Sequence, residues 1–248
     1  MISVITTAYN HQNTLQRAID SVRAQKGVEI QHIVIDDTVR KHGLMLTFYE
    51  AFKRCEGEYI AFCDGDDYWT CTDKLSIQKK YLDDHPEVGL CFTLVYTGGD
   101  HTGWKSLEFM PVNATDINSK MSFDRLLKGN AFIHAQSYLI RKSVLDQYID
   151  FAKFIVLGFR TWDYPIVLDL INHTQFHCMD FYSAVYTKNL ESVTNTRSRK
   201  KRFEYILNSY KIKLYFIKKY GCRVSTIIYL LYLFIRHLYS ITFRRWVR

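Results

Sequence analysis

Three short apolar runs, at residues 2–6, 31–35 and 59–62, each stop abruptly at a cluster of polar or acidic residues. Strands that are apolar on both faces must be covered on both faces, as in parallel sheets with helices on either side. The stretches between the runs carry the matching pattern. Leu15, Ala18, Ile19 and Val22 recur at helical spacing within residues 14–25, and a second helix is predicted over residues 44–54. This alternation predicts an α/β domain, a Rossmann-like mixed sheet flanked by helices, with a site at the carboxyl edge of its strands. Three strand ends meet there: residues 7–10, the pair Asp36-Asp37, and residues 64–67.

The third strand end carries the chemistry. Asp64, Asp66 and Asp67 fall within four positions of one another, in Cys63-Asp-Gly-Asp-Asp-Tyr-Trp69. Like charges this close repel, so the cluster calls for a cation. A calcium-binding EF-hand loop is excluded, because Tyr68, Trp69 and Leu75 occupy places that should be polar, small or acidic. Hard carboxylate oxygens suit Mg²⁺ or Mn²⁺, which binds through one or two carboxylates together with a substrate's phosphates. The expected partner is therefore a divalent cation carrying a diphosphate. The plainer alternative is a solvated acidic turn that caps a helix beginning near Asp73. Six cysteines without a CxxC pair argue against a zinc site or a disulfide framework and suit reduced thiols.

The formal charge of +8 hides a division. Residues 196–248 hold 14 Lys and Arg against one acid, Glu204, a balance of +13; residues 1–195 hold 19 basic and 24 acidic side chains, a balance of −5. A basic tail on a mildly acidic body points to an anionic surface. The apolar run within residues 226–235 is about half the roughly 20 residues that span a bilayer. The tail is thus expected to lie at a membrane interface, with Ile227, Leu230, Leu231, Phe234 and Ile235 entering it, and to be separable from the body. Docking of the tail on the body is the alternative. No nucleic-acid-binding module accompanies the charge, so no nucleic acid is expected. Residues 2–5 open directly as a strand, without an export-signal pattern, so the expected setting is cytoplasmic, on the inner face of a membrane.

In order along the chain, "ISVITTAYNHQNTLQRAIDSV", "HIVIDD", "HGLMLTFYEAFKRCEGEYIAFCDGDDYW" and "TDKLSIQKKYLDDHPEVGLCFT" resemble the family-2 glycosyltransferases of the GT-A fold. The stretches "LLKGNAFIHAQSYLIRKSVL" and "TWDYPIVLDLINHTQFHCMDFYSAVY" resemble the acceptor half of the same enzymes. The resemblance implies a glycosyltransferase domain over residues 1–195, with a nucleotide-sugar half at 1–97, an acceptor half at 98–195, and a basic helical tail at 196–248. It implies that Thr7, Tyr9 and Asn10 lie against the nucleotide, and that Asp36 pairs with its base, usually uracil. Asp64 and Asp66 match the positions that touch the donor, Asp66 and Asp67 those that hold Mn²⁺ or Mg²⁺, and Asp163 the general base. His134, Gln136, Trp162 and Lys188 are candidate contacts to acceptor or diphosphate.

The implied reaction is inverting transfer of a hexose from a nucleotide sugar, with a uridine diphosphate donor expected, to a glycan or lipid-linked acceptor. Three departures stand against it. Thr38-Val39 follow the acidic pair where the family has Gly-Ser. Only a short link joins Asp37 to Gly43, where relatives have a further helix and strand. Thr187-Lys-Asn189 stand where an Arg and a His are usual. The rival expectation is a catalytically impaired nucleotide-sugar-binding protein docked at a membrane.

Overall fold

The apolar runs become strands because helices bury both of their faces. In the computed structural model, which describes residues 1–8, 13–36, 43–99, 104–109, 113–129, 133–187 and 198–243, β1 (Ile2–Ala8) lies between two parallel partners, β2 (Ile30–Asp36) and β3 (Tyr59–Phe62). Successive β3 side chains alternate between two cores. Tyr59 and Ala61 enter the smaller, Ile60 and Phe62 the larger. Helix α1 (Leu15–Arg23) sends Ala18 and Val22 into the smaller core, α2 (Leu44–Phe52) sends Met45 and Phe48 into the larger, and α3 (Lys74–Asp84) returns to the smaller with Leu75 and Leu82. The expected helices at 14–25 and 44–54 thus form, each slightly shorter.

Among the described residues five more strands complete an eight-stranded mixed sheet: β4 (Tyr68–Trp69), β5 (Val88–Gly99), β6 (Trp104–Phe109), β7 (Leu139–Arg141) and β8 (Gln175–Thr187). Their order is β2-β1-β3-β7-β5-β8-β4, with β6 paired to β5. β2 closes one end of that order. The link that follows it, residues 37–42, lies outside the described residues. Five helices thicken the larger core: α4 (Ala114–Lys120), α5 (Phe123–Lys128), α6 (Lys142–Tyr148), α7 (Phe151–Val156) and α8 (Asp163–Leu170).

The basic segment forms α9 (Arg199–Tyr220) and α10 (Val224–Phe243), packed on the body. Ile212, Phe216 and Leu230 join the larger core. Asp169 of α8, almost fully buried, accepts a hydrogen bond from the Tyr220 hydroxyl and one from Lys219 Nζ at 2.7 Å. Asp124 of α5 accepts from the Thr226 hydroxyl and from the Arg223 N–H at 3.1 Å. The five apolar residues expected to face a membrane therefore divide. Leu230 turns into the core and Phe234 meets the Tyr210 ring at 4.8 Å, while Ile227, Leu231 and Ile235 stay exposed. Among the described residues no helix is long and apolar enough to cross a membrane. All six cysteines are free.

Candidate functional site at the carboxyl edge of the parallel strands

Past Phe62, the last β3 residue paired to β1, the chain continues alongside the end of β1. The Gly65 N–H donates to the Thr7 carbonyl at 2.9 Å. A Cβ at position 65 would stand 2.9 Å from the Ala8 Cβ, so this approach requires glycine between Asp64 and Asp66. The Thr7 hydroxyl donates to Asp64 Oδ1 at 2.8 Å. Asp67, 4% exposed, accepts the Thr187 N–H on Oδ1 at 2.8 Å, which fastens the acidic loop to the end of β8. Trp69 Nε1–H donates to the Gln136 carbonyl at 2.8 Å and fastens the same loop to the turn at residues 134–138. The acidic loop is thereby joined to the end of β8 through Asp67 and to the turn at residues 134–138 through Trp69.

The carboxylates meet an environment that resists their charge. Burial, then Asp66, then Asp163 raise the Asp64 pKa to about 7, against a lowering by the Thr7 hydroxyl. Burial, then Asp66 and Asp64, push Asp67 well above the ordinary carboxylate value, while the Thr187 N–H and Arg17 pull it down. The donor set suits a hard divalent cation. Among the described residues no three His, Cys, Asp or Glu side chains converge as a metal cluster. A cation held by Asp66 and Asp67 would complete its shell with donor phosphates and water, the usual mode for Mg²⁺.

Asp163 begins α8, where free backbone N–H groups gather. Burial raises its pKa, and the N–H groups of Tyr164 and of Asp163 itself lower it. Its charge also raises the Asp64 and Tyr138 pKa values, so it shares one electrostatic site with the acidic loop. Trp162, 3% exposed, stacks on Phe48 at 4.2 Å and meets Phe62 at 4.6 Å. Its ring, expected as an acceptor or diphosphate contact, packs between these two aromatic neighbours in the larger core. His134 is buried 4.9 Å from the Tyr186 ring, and burial lowers its pKa to about 3, so it stays neutral. Gln136 is buried, and among the described residues neither its Nε2 nor Thr187 Oγ1 has a hydrogen-bond partner. Tyr9, Asn10 and Lys188 lie outside the described residues, as does the side chain of Asp36, whose backbone ends β2 opposite Ala8.

Three contributors escaped the sequence reading. Arg17 on α1 donates to the Asp66 carbonyl at 3.3 Å and lies 4.1 Å from the Tyr68 ring centroid. Ser21, one turn on, accepts the Trp69 N–H at 3.1 Å. Their i, i+4 spacing beside the buried Ala18 and Val22 was the available signal. Lys74 is fully buried 4.5 Å from the Trp69 ring centroid and donates to Gln78 Oε1 at 2.7 Å; burial lowers its pKa to about 7. It braces the loop from below.

A mixed sheet whose parallel strands deliver an acidic loop to their carboxyl edge is the GT-A architecture. The family described as Glycosyl transferase family 2 matches residues 3–42 and 38–149, and the chain belongs to it. The break between the two matched stretches falls at the short link after Asp37. The chain is 31% identical over 170 residues to the uncharacterized proteins Rv1520 of Mycobacterium tuberculosis and Mb1547 of Mycobacterium bovis, a match covering 57% of this chain and 47% of each relative. It thus spans about half the length of those relatives. Among solved structures it resembles TarS of S. aureus in complex with UDP-GlcNAc, with TM-score 0.57, 12% identity, and 97% of this chain and 81% of that one covered. It also resembles the mannosyltransferase PcManGT of Pyrobaculum calidifontis in complex with GDP-Man and Mn²⁺, with TM-score 0.58, 12% identity, and 97% and 71% covered. At that identity the likeness is one of fold.

Proposed function

We propose that the protein is an inverting glycosyltransferase that moves a hexose from a nucleotide diphosphate donor, with a uridine diphosphate sugar expected, to a glycan or lipid-linked acceptor. The observation that supports this reading is the acidic loop of Asp64, Asp66 and Asp67 after β3, with the Asp163 charge acting on Asp64. TarS and PcManGT, which share the fold, are described with UDP-GlcNAc and with GDP-Man and Mn²⁺. Thr7 and Asp64 would meet the donor, with Tyr9, Asn10 and Asp36 toward the nucleotide. A divalent cation on Asp66 and Asp67 would neutralise charge on the departing diphosphate.

Asp163 takes the acceptor hydroxyl's proton as that oxygen bonds to the anomeric carbon. The bond from that carbon to the diphosphate breaks, and the nucleoside diphosphate leaves. A carboxylate whose pKa is raised by burial is a stronger base and suits this task. Gln136 Nε2, without a partner among the described residues, is available to a sugar hydroxyl. The contact to an anionic membrane, on the cytoplasmic face, runs through α9 and α10. α9 exposes Lys200, Lys201, Lys211 and Lys218, and α10 exposes Ile228, Leu231 and Ile235. That placement suits a lipid-linked acceptor in polysaccharide assembly.

The test is a panel of nucleotide sugars with Mn²⁺ or Mg²⁺, reading released nucleoside diphosphate. Asp163→Asn should keep donor affinity and lose transfer by roughly 10²–10⁴-fold. Transfer within a few-fold of the unmodified rate would assign the base elsewhere. A second reading, a nucleotide-sugar-binding protein without turnover, is favoured by β2 standing at one end of the sheet order. Tight donor binding with no donor turned over would select it.

A further inference from the structure

The segment that delivers Asp163 is held by the basic tail. Asn208 of α9, 9% exposed, clamps the backbone between α7 and α8 from both sides of its amide. Its Nδ2–H donates to the Gly158 carbonyl at 2.9 Å, and its Oδ1 accepts the Arg160 N–H at 2.9 Å. One turn earlier on α9, Glu204 accepts from the Arg160 guanidinium at 2.9 Å. Gly158 has φ +66°, a backbone turn that side-chain-bearing residues rarely adopt, so the segment is bent as well as bound. At the other end of the segment Trp162 is fixed by Phe48 and Phe62. Asp163 is the next residue. On the tail side, Tyr205 lies close enough to Asp163 for the carboxylate's charge, after burial, to raise the phenol's pKa. The two anchors therefore differ in origin: the core holds Trp162, and α9 holds Gly158 and Arg160.

We propose that Asn208 is a positioning residue for the transfer step, fixing the backbone that sets Asp163 against the acceptor hydroxyl. This rests on the reading of Asp163 as general base. An exposed Glu204–Arg160 pair contributes little by itself. The paired amide bonds at Asn208 are sheltered and directional, and they carry the geometry. Small misplacements of a reacting group are costly, since about 1 Å can lose 10²-fold in rate. The tail then serves catalysis directly.

Asn208→Ala, in the full chain, should lower kcat at least tenfold while the affinity for uridine diphosphate with Mn²⁺, measured by calorimetry, stays within about twofold. Built into the Asp163→Asn chain, Asn208→Ala should cost almost nothing further, because it acts through a base already removed. Asn208→Asp keeps the acceptor for the Arg160 N–H and loses the donor to the Gly158 carbonyl. It should fall between the unmodified chain and Asn208→Ala, and it carries the same cycle if Asn208→Ala does not fold. An unchanged kcat, or an equal loss with and without the Asp163 carboxylate, would overturn the proposal. If Asp163→Asn alone transfers normally, the base assignment fails first and the proposal falls with it.

Discussion

Asp64 sits between opposed demands, since the Thr7 hydroxyl favours its charge while burial, Asp66 and Asp163 resist it. Its folded pKa is raised from 3.8 to about 7. A raised pKa leaves stability fully present below about 4 and removes it as pH climbs to about 7. Asp64→Asn keeps the shape and cannot ionise, so its melting temperature should match or fall slightly below the unmodified chain near pH 4. By pH 8 the variant should be the more stable of the two, by up to about 4 kcal/mol before discounting for partial exposure. His32 and His134, lowered by burial to about 4 and about 3, move stability the opposite way over part of that window. The quantity to read is therefore the difference between variant and unmodified chain at each pH, without metal. A difference that does not grow with pH would show that Asp64 is not strained by its neighbours.

At the scale of elements, the strands were legible because burial on both faces leaves few polar positions to confuse the pattern. β3 falls on the run at residues 59–62, and the acidic loop follows where expected. What local pattern does not carry is pairing across the chain. The Thr187 bond to Asp67 spans 120 positions, and the Asn208 clamp on Arg160 spans 48. Nothing in the residues around Asn208 distinguishes it from a solvated helix amide. The same limit governed the tail, whose charge read clearly while its inward face did not. Ile206, Ile212, Phe216 and Leu230 are each less than a tenth exposed. Burying side chains of this size contributes roughly 1.5–3 kcal/mol apiece, an upper estimate. Together they rival the roughly 5–15 kcal/mol that holds a typical domain. A chain ending at residue 197 should therefore lose its cooperative melt, reversing the expectation of a separable tail. Circular dichroism would decide, and a melt within a few degrees of the full chain would return the tail to the status of an appendage.

For the whole molecule, the tail has an inward face that holds the body and an outward face that is exposed. Val224, Ile228, Leu231, Ile235 and Tyr239 recur every three or four residues along α10 and are all exposed, Ile228 by 62% and Ile235 by 66%. That stripe follows the helical repeat, so it is one continuous apolar face. Exposed lysines on α9 and Arg223 and Arg236 beside the stripe supply positive charge. An anionic bilayer would satisfy both at once, since each cation near its surface would contribute about 1 kcal/mol and the stripe would enter the acyl boundary. Full-length protein should therefore sediment with anionic vesicles, less with neutral ones. Raising salt to 1 M shortens the Debye length to about 3 Å and should reduce binding without abolishing it, because the apolar part is insensitive to screening. Ile228→Glu with Ile235→Glu should remove vesicle binding yet leave the melting temperature and donor affinity in place, since both side chains already face solvent. If the double variant binds vesicles as the unmodified chain does, the stripe is not the contact. If the unmodified chain instead forms dimers that the variant cannot, the stripe belongs to a second copy of the protein.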